Sequence, residues 1–307
     1  MIKKLVLICG LALIAGGSLD CRAQLIAQTW VSGFGDNNNP CTVNAPCRTF
    51  AGAFAKTSSG GEISVMDAAD FGPVTITKGI TINAVGALGS VLSTSGAAIT
   101  INAGASDVVV LRELSIHGAG AGSEGIHFGS GLKLHIESTT VTGFTGDAIA
   151  FLPSGTSTLY MNSVTVRNNG ASGVFIQPTP AGTASASLNN VRFEGNSRGL
   201  RVEDGSTVLV RKSIATGNSA NGLVAISTAS LARAIDLIIE DTTSALNGAT
   251  GVYAGPFATV RLINSTVVKN GVGVSGGGSL LSSGTNSIRG NTPNNGGLPT
   301  TIEPRTD

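Results

Sequence analysis

Charge is scarce in this sequence. Only 12% of its 307 residues are charged, and the formal net charge is +1. No basic cluster stands out that could neutralise a nucleic-acid backbone or an anionic bilayer, so we expect neither as a partner. The chain has instead 43 glycines and many Thr, Ser, Asn and Val residues. This composition is typical of short stacked strands with frequent tight corners, and not of helices.

Aromatic and metal-ligating side chains are also few. Aromatic residues make up 4% of the chain, with one Trp and two Tyr, so rings on which a sugar could stack are rare. The three histidines, His117, His127 and His135, lie close together in the sequence but without a fixed ligand spacing. We therefore expect them to face solvent, and we predict no metal ion and no other cofactor.

Only one long apolar run is present. It covers residues 5–15, follows two lysines, and precedes a Cys-x-Ala pattern that ends at Ala23. This order is typical of a signal peptide at residues 1–23, and no other run approaches membrane-spanning length. A lipoprotein acylated at Cys21 is the less favoured alternative, because Asp20 occupies the position where a small residue is needed. We predict an exported protein, periplasmic or extracellular, whose formal charge falls to −1 when the leader is removed.

Two of the four cysteines lie beyond the predicted leader, Cys41 and Cys47, in the segment PCTVNAPC. In an exported chain, a cysteine pair this close more often forms a small disulfide than a metal site. We predict a disulfide that holds a loop and does not stabilise the whole fold.

One phrase is repeated along the chain: an alternating segment, an Asn beside a Gly, and a second alternating segment. Its clearest copies are Leu159–Ile176 and Ala186–Val202. An anchor position recurs at Ile116, Val141, Val166, Phe193, Ala215, Ser244, Val267 and Ile288, and the associated asparagines are Asn169, Asn196, Asn218, Asn247, Asn270 and Asn291. A period of roughly 20–30 residues predicts a solenoid. We interpret the asparagines as structural, because Asn tolerates a left-handed corner and stacked amides can hydrogen-bond from coil to coil.

The segments between corners are short, β-branched and bounded by Gly, as buried parallel strands are. A leucine-rich solenoid needs a denser Leu/Asn consensus, and the glycine-aspartate calcium-binding repeat is missing. We therefore predict an all-β, single-stranded parallel β-helix of roughly nine to ten coils. Residues 24–61 are assigned to an N-terminal cap with a short helix, residues 62–291 to the β-helix, and residues 292–307 to a loose tail.

The alternation also predicts which side chains point inward. In the strands led by Gly, uniformly apolar pairs should face the core. These pairs are Ile126/Phe128, Ile149/Phe151, Val174/Ile176, Leu200/Val202, Leu223/Ala225 and Val252/Ala254. The residues between them, which should point outward, are His127, Ala150, Phe175, Arg201, Val224 and Tyr253.

The chain resembles the exported right-handed parallel β-helix proteins of the pectate-lyase-like superfamily. Their N-terminal signature is matched by Trp30-Val31-Ser32, by Gly35-Asp36 with Pro40, and by Pro46-x-x-Thr49-Phe50-x-x-Ala53. With the coils, the resemblance extends from Thr29 to about Asn291. It implies a right-handed β-helix and leaves activity open, because the superfamily contains lyases, hydrolases, adhesins and members of unknown role.

No catalytic residue is predicted. A pectate lyase of this fold needs carboxylates that hold Ca²⁺ and a Lys or Arg base, yet Arg201 has only apolar neighbours one coil away. Glu203 and Asp204 are adjacent and should point in opposite directions on a strand. The Asn-Thr-Asp, Asp-Asp, Gly-His-Gly and Arg-Ile-Lys motifs of pectin hydrolases are absent. Arg211 and Glu240 should be neighbours on successive coils, where a surface ion pair is favoured over an acid/base role.

The remaining candidate is a set of outward side chains that we call the outer strip: His127, Phe175, Arg201 and Tyr253. Three coils separate the rings of Phe175 and Tyr253, roughly 14 Å at the spacing of strands. This suits an extended partner that lies along the solenoid axis, although a loop packed over Phe175 is equally ordinary.

These observations favour an exported non-catalytic protein that presents a binding face to a glycan or to a surface protein. The alternative is a polysaccharide lyase or hydrolase with an atypical site. A purely structural surface-layer component is a third hypothesis. The oligomeric state is not predicted.

Overall fold

The computed structural model describes residues 25–227 and 232–303. Within these ranges the chain is a parallel β-solenoid with three sheets and one short helix. The predicted signal peptide, residues 1–23, lies outside the described residues.

The longest sheet has twelve strands, which pair in parallel from coil to coil. Its strands are β1 Ile26–Val31, β2 Thr57–Val65, β5 Ile80–Asn83, β8 Val108–Arg112, β11 Lys133–Glu137, β14 Thr156–Asn162, β17 Thr183–Asn189, β20 Ser206–Arg211, β23 Ile235–Glu240, β26 Ala258–Ile263, β29 Ser279–Ser282 and β31 Thr300–Ile302.

The second sheet has ten strands, most of them only three residues long. Its strands are β3 Ala69–Asp70, β6 Gly89–Leu92, β9 Leu114–His117, β12 Thr140–Thr142, β15 Thr165–Arg167, β18 Arg192–Glu194, β21 Ile214–Thr216, β24 Thr243–Ala245, β27 Thr266–Val268 and β30 Ser287–Arg289.

The third sheet has nine strands and contains the segments led by Gly. Its strands are β4 Val74–Ile76, β7 Ala97–Asn102, β10 Glu124–Ser130, β13 Ile149–Phe151, β16 Ser172–Ile176, β19 Arg198–Val202, β22 Leu223–Ala225, β25 Thr250–Ala254 and β28 Val272–Gly276. One coil therefore runs through the twelve-, ten- and nine-stranded sheets in turn, as β14, β15 and β16 do.

The core is a stack of the inward side chains that the alternation predicts. All twelve predicted inward residues of the Gly-led strands are fully buried. Phe128 and Phe151 stack on successive coils with ring centroids 4.5 Å apart. Because each coil buries its apolar face only against its neighbours, the core is continuous along the axis.

The repeated asparagines form a buried ladder at the corner between the ten- and nine-stranded sheets. Asn218 shows the pattern: its Nδ2 donates to Asn247 Oδ1 at 2.8 Å and to the Phe193 carbonyl at 3.1 Å, while its Oδ1 accepts the Asn196 backbone N–H at 3.0 Å. The structural interpretation of these residues is confirmed.

One part of that interpretation is wrong, however. The left-handed backbone at this corner belongs to the residue before each ladder asparagine, for example Asn168 (φ 55°), Gly195 (φ 64°) and Leu246 (φ 57°). The asparagine itself follows the turn, because its amide must project into the coil to reach the amides above and below.

A second ladder, of hydroxyl groups, occupies the corner between the twelve- and ten-stranded sheets. Ser213 Oγ accepts the Val191 N–H at 3.0 Å, and Thr242 Oγ1 accepts the Ser213 N–H at 3.2 Å. These hydroxyls satisfy backbone donors that the turn buries, which would otherwise destabilise the fold.

The N-terminal end is capped as predicted. The helix α1, Phe50–Lys56, starts after Thr49, whose hydroxyl accepts the Gly52 N–H at 3.0 Å. Its buried residues are Phe50 and Ala53, with Phe54 partly buried against the core.

The disulfide between Cys41 and Cys47 is present, with Cα atoms 4.6 Å apart. Its loop covers the outer edge of β1. The backbone N–H of Trp30 donates to the Cys41 carbonyl at 2.8 Å, and the Trp30 carbonyl accepts the Cys47 N–H at 2.9 Å. The loop therefore pairs backbone groups that an exposed edge strand would leave open.

Residues 292–303, which the sequence suggested to be a loose tail, continue the solenoid. β31 pairs with β29, and Leu298 is only 2% exposed. No helix in the described part of the chain has the length and apolar character needed to cross a membrane.

Candidate functional site

The outer face of the twelve-stranded sheet carries three columns of outward side chains. Because neighbouring strands pair in register, each column continues from coil to coil. Over β11, β14 and β17 the columns are Lys133/Thr158/Ser185, His135/Tyr160/Ser187 and Glu137/Asn162/Asn189.

Two aromatic rings stack in the central column. His135 and Tyr160 face each other with ring centroids 4.7 Å apart and an interplanar angle of 22°. Tyr160 is 38% exposed, which makes it one of the few large rings on the surface. A depression of about 360 Å³ opens beside the pair. We call it the groove, defined by His135, Glu137, Tyr160, Asn162, Ser187 and Asn189.

Amide and carboxylate groups border one side of the groove. Asn189 Nδ2 donates to Asn162 Oδ1 at 2.9 Å, which leaves other amide positions of both residues directed at solvent. Arg112 Nε donates to Glu137 Oε2 at 2.9 Å, and both side chains are about two-fifths exposed. The groove thus combines a stacking surface with several hydrogen-bond donors and acceptors.

Burial lowers the pKa of His135 below its ordinary value. The Glu137 carboxylate acts in the opposite direction, whereas Lys133 and Arg112 lower the pKa further. The imidazole in the groove is therefore neutral at pH 7, with one nitrogen that donates a hydrogen bond and one that accepts.

The outer strip lies in one column of the nine-stranded sheet. The register runs from His127 through Ala150, Phe175, Arg201 and Val224 to Tyr253. The two linking residues point outward but are buried: Ala150 is 0% exposed and Val224 is 3% exposed. The four strip residues are half-buried and do not form one continuous exposed surface.

Two charged or polar side chains of the outer strip, those of His127 and Arg201, have partners within the protein. His127 Nδ1 lies 2.7 Å from Glu124 Oε2, and the Arg201 guanidinium lies over the Phe175 ring, 5.1 Å from its centroid. Arg201 also pairs with Glu203, whose side chain is fully buried. As a binding site the outer strip stays a prediction.

A buried carboxylate was missed by the sequence reasoning. Glu203 pairs with Arg201 and accepts a hydrogen bond from Gln177 Nε2. Its neighbour Asp204 is buried as well and accepts the Arg233 N–H at 3.2 Å. The sequence predicted opposite directions for Glu203 and Asp204 as neighbours on a strand. The strand ends at Val202, so period-2 alternation no longer applies, and both side chains are buried.

Desolvation raises the pKa of Glu203 above its ordinary value, and Asp204 acts in the same direction, although Arg201 and Gln177 oppose the shift. Below about pH 4 this carboxyl is protonated in folded and unfolded chains alike. As pH rises, the unfolded chain releases the proton first, so the folded state loses stability relative to it.

We therefore expect Glu203→Gln to stabilise the protein more at neutral pH than at about pH 4. The difference in unfolding free energy between variant and wild type should grow by about 1.4 kcal/mol for each unit by which the pKa is raised. Denaturant titrations at both pH values measure it. A difference that is constant, or that shrinks as pH rises, would contradict the assignment.

The other predicted candidates take ordinary surface roles. Arg211 and Glu240 are paired across successive coils, with Nε and Oε2 2.9 Å apart, as expected. The three histidines lie in different strands, and His117 Nε2 contacts Ser115 Oγ at 3.1 Å. Among residues 25–227 and 232–303, no group of three or more His, Cys, Asp or Glu side chains could hold a metal ion.

The groove was not identified from the sequence, although its signal was present. Alternation through Leu159 and Met161, both inward, places Tyr160 outward. His135 precedes it by one repeat and was judged alone as a solvent-facing residue. Comparing outward positions one repeat apart would have paired the two rings.

Comparison with known proteins identifies the family. The model of the right-handed β-helix region matches residues 74–233 and 181–292, and the chain belongs to this family. The predicted handedness is thereby confirmed. A search of curated proteins finds no match.

Solved structures share the fold at low sequence identity. The pectate lyase Pel9A matches with a TM-score of 0.59 and 15% identity over 94% of this chain and 82% of its own. The alginate lyase from Paenibacillus sp. str. FPU-7 matches at 0.51 and 11%, over 83% and 94%. The A-module of the Azotobacter vinelandii mannuronan C-5 epimerase AlgE4 matches at 0.50 and 14%, over 80% and 91%.

Proposed function

We propose that this protein is exported, binds a polysaccharide on the outer face of its twelve-stranded sheet, and does not catalyse a reaction. The glycan chain lies along the solenoid axis and contacts the groove. The observation that carries the proposal is the exposed His135–Tyr160 ring pair beside the amides of Asn162 and Asn189.

The composition of the groove suits a sugar. A pyranose has apolar C–H faces that pack on an aromatic ring, and a rim of hydroxyls that donate and accept hydrogen bonds. Tyr160 offers the first kind of surface, while Asn162, Ser187 and Asn189 offer the second. Ligand sites generally combine an apolar surface with a few placed polar groups in this way.

The spacing of carboxylates around the groove supports binding without catalysis at this site. Glycosidases use two carboxyl groups roughly 5–10 Å apart. Glu137 is the carboxylate of the groove. Along the three columns the next ones are Glu62, three coils away, and Asp236 and Glu240, both four coils away. At the spacing of parallel strands these separations are roughly 14 and 19 Å.

The activities for which the similar structures are named support a carbohydrate partner. They are named as a pectate lyase, an alginate lyase and a mannuronan epimerase, each of which acts on a polysaccharide. The predicted leader and the Cys41–Cys47 disulfide support export, because disulfides persist in oxidising compartments.

The test is retention of the purified protein in gels that contain a polysaccharide, one polysaccharide per gel. We expect Tyr160→Ala to weaken retention by about tenfold or more, since it removes the stacking surface. Tyr253→Ala is the matched control, because it removes the same type of side chain from the outer strip on the nine-stranded sheet and leaves the groove unchanged.

Loss of retention in Tyr253→Ala but not in Tyr160→Ala would move the site to the outer strip. Release of reducing ends or of unsaturated products by the wild-type chain would favour the alternative, a polysaccharide lyase or hydrolase. No retention on any polysaccharide would contradict the proposed function.

A further inference from the structure

We infer that the groove selects a neutral polysaccharide and discriminates against polyuronates. This inference rests on the proposed function and concerns the class of ligand. The similar structures are named as a pectate lyase, an alginate lyase and a mannuronan epimerase, and the sugars of these substrate polymers carry carboxylates. The inference therefore departs from the substrates of these similar proteins.

The first reason is that the arginine at the groove is already neutralised. Arg112 is bound by Glu137 on the next coil at 2.9 Å, and Glu137 is the member of the pair that lines the groove. A ligand carboxylate in the groove would therefore approach a carboxylate before it reached the guanidinium. Like charges this close repel each other, and the ligand would lose water without gaining a cation.

The same compensation is found along the rest of the face. Arg211 is paired with Glu240, and Arg261 is paired with Asp236 and lies 3.5 Å from Glu303. Every arginine on the described outer face of this sheet thus has a carboxylate on an adjacent coil. A polyuronate carries a negative charge on each sugar and needs a row of uncompensated cations, whereas Lys133 is the one cation beside the groove without a carboxylate partner among the described residues.

The remaining groups of the groove are uncharged. Asn162, Ser187 and Asn189 present amides and a hydroxyl, and His135 is neutral at pH 7 because burial lowers its pKa. These groups match sugar hydroxyls, which donate and accept hydrogen bonds but carry no charge. Specificity then follows from the repulsive Glu137 as well as from the attractive groups.

The experiment measures retention of the full exported chain by two neutral polysaccharides, a soluble β-glucan and a galactomannan, and by two acidic ones, polygalacturonate and alginate. Each is tested at about 0.02 M NaCl, where interactions between charges are weakly screened, and at about 0.5 M NaCl, where they are strongly screened. We expect retention by a neutral polysaccharide that salt does not weaken, and no retention by the acidic ones.

Glu137→Gln provides the sharper test, because it keeps the shape of the side chain and releases Arg112 from its partner. We expect this variant to gain retention by polygalacturonate or alginate at low salt, and to lose that retention at high salt. Glu194→Gln is the control: it releases Arg192 from a partly exposed pair within one strand of the ten-stranded sheet, away from the groove, and should change nothing.

The outcomes separate this inference from the proposed function. Salt-sensitive retention of wild type by an acidic polysaccharide, reduced in Tyr160→Ala, would overturn the inference and leave the proposed function standing. An unchanged preference in Glu137→Gln would overturn the role of this carboxylate in selection. Failure of all four polysaccharides to retain the wild-type chain would overturn both proposals.

Discussion

Leu188→Asp should prevent this protein from folding. Leu188 lies on the inward side of β17 and is fully buried. The substitution removes a core side chain, which costs about 2–5 kcal/mol, and adds a carboxylate that has no partner in the solenoid interior. The total exceeds the stability that a typical domain can lose, so we expect an aggregated or unfolded product.

The control is the next residue, Asn189, which is exposed on the outer face of the same strand. Asn189→Asp introduces the same carboxylate one position along, beside Arg211 in register, and should change the melting temperature little. Circular dichroism melts of both variants measure the difference. Equal damage from both would contradict the inward and outward assignment on which the groove depends.

Asn218→Ala should have the second-largest effect. The substitution removes the side-chain partner of the buried Asn196 N–H and of the buried Phe193 carbonyl, while Asn247 Oδ1 keeps only the hydrogen bond from the backbone N–H of residue 218. Unsatisfied buried groups cost about 1–3 kcal/mol each, so we expect a loss of about 3–5 kcal/mol in unfolding free energy. Denaturant titration against wild type measures it.

Asn162→Ala is the matched control, because Asn162 is exposed and makes one side-chain hydrogen bond, from Asn189. It should lose less than about 0.5 kcal/mol. If Asn218→Ala were as mild as Asn162→Ala, the ladder would not be a source of stability, and the repeated asparagines would need another explanation.

The fold could be predicted because its rules are local and repeated. A strand has period 2, so apolar pairs such as Leu200 and Val202 identify the inward face without any tertiary information. The repeat then places equivalent residues on successive coils, which is why the pairing of Arg211 with Glu240 could be predicted. The disulfide followed from short spacing in an exported chain.

Prediction failed where the chain leaves regular alternation. Glu203 follows the last residue of β19, so alternation does not predict where its side chain points, and its hydrogen-bond partner Gln177 comes from the preceding coil. The C-terminal segment has no periodic pattern of apolar residues, yet its strand β31 pairs with β29, because strand pairing needs only backbone donors and acceptors.

The groove depends on contacts between coils more than on any single segment. Neither His135 nor Tyr160 stands in a motif, and each is an ordinary outward residue of its own strand. Their stacking at 4.7 Å arises from the exact register of β11 and β14, since a slip of one residue would turn one ring into the core.

The most direct test of polysaccharide binding at the groove is hydroxyl-radical footprinting of the wild-type chain, with and without the polysaccharide that retains it best. Tyr160 and Tyr253 report on the groove and on the outer strip within one sample. We predict that the bound polysaccharide slows oxidation of Tyr160 several-fold and leaves Tyr253 unchanged. Protection of Tyr253 with no protection of Tyr160 would contradict the assignment of the binding site to the groove.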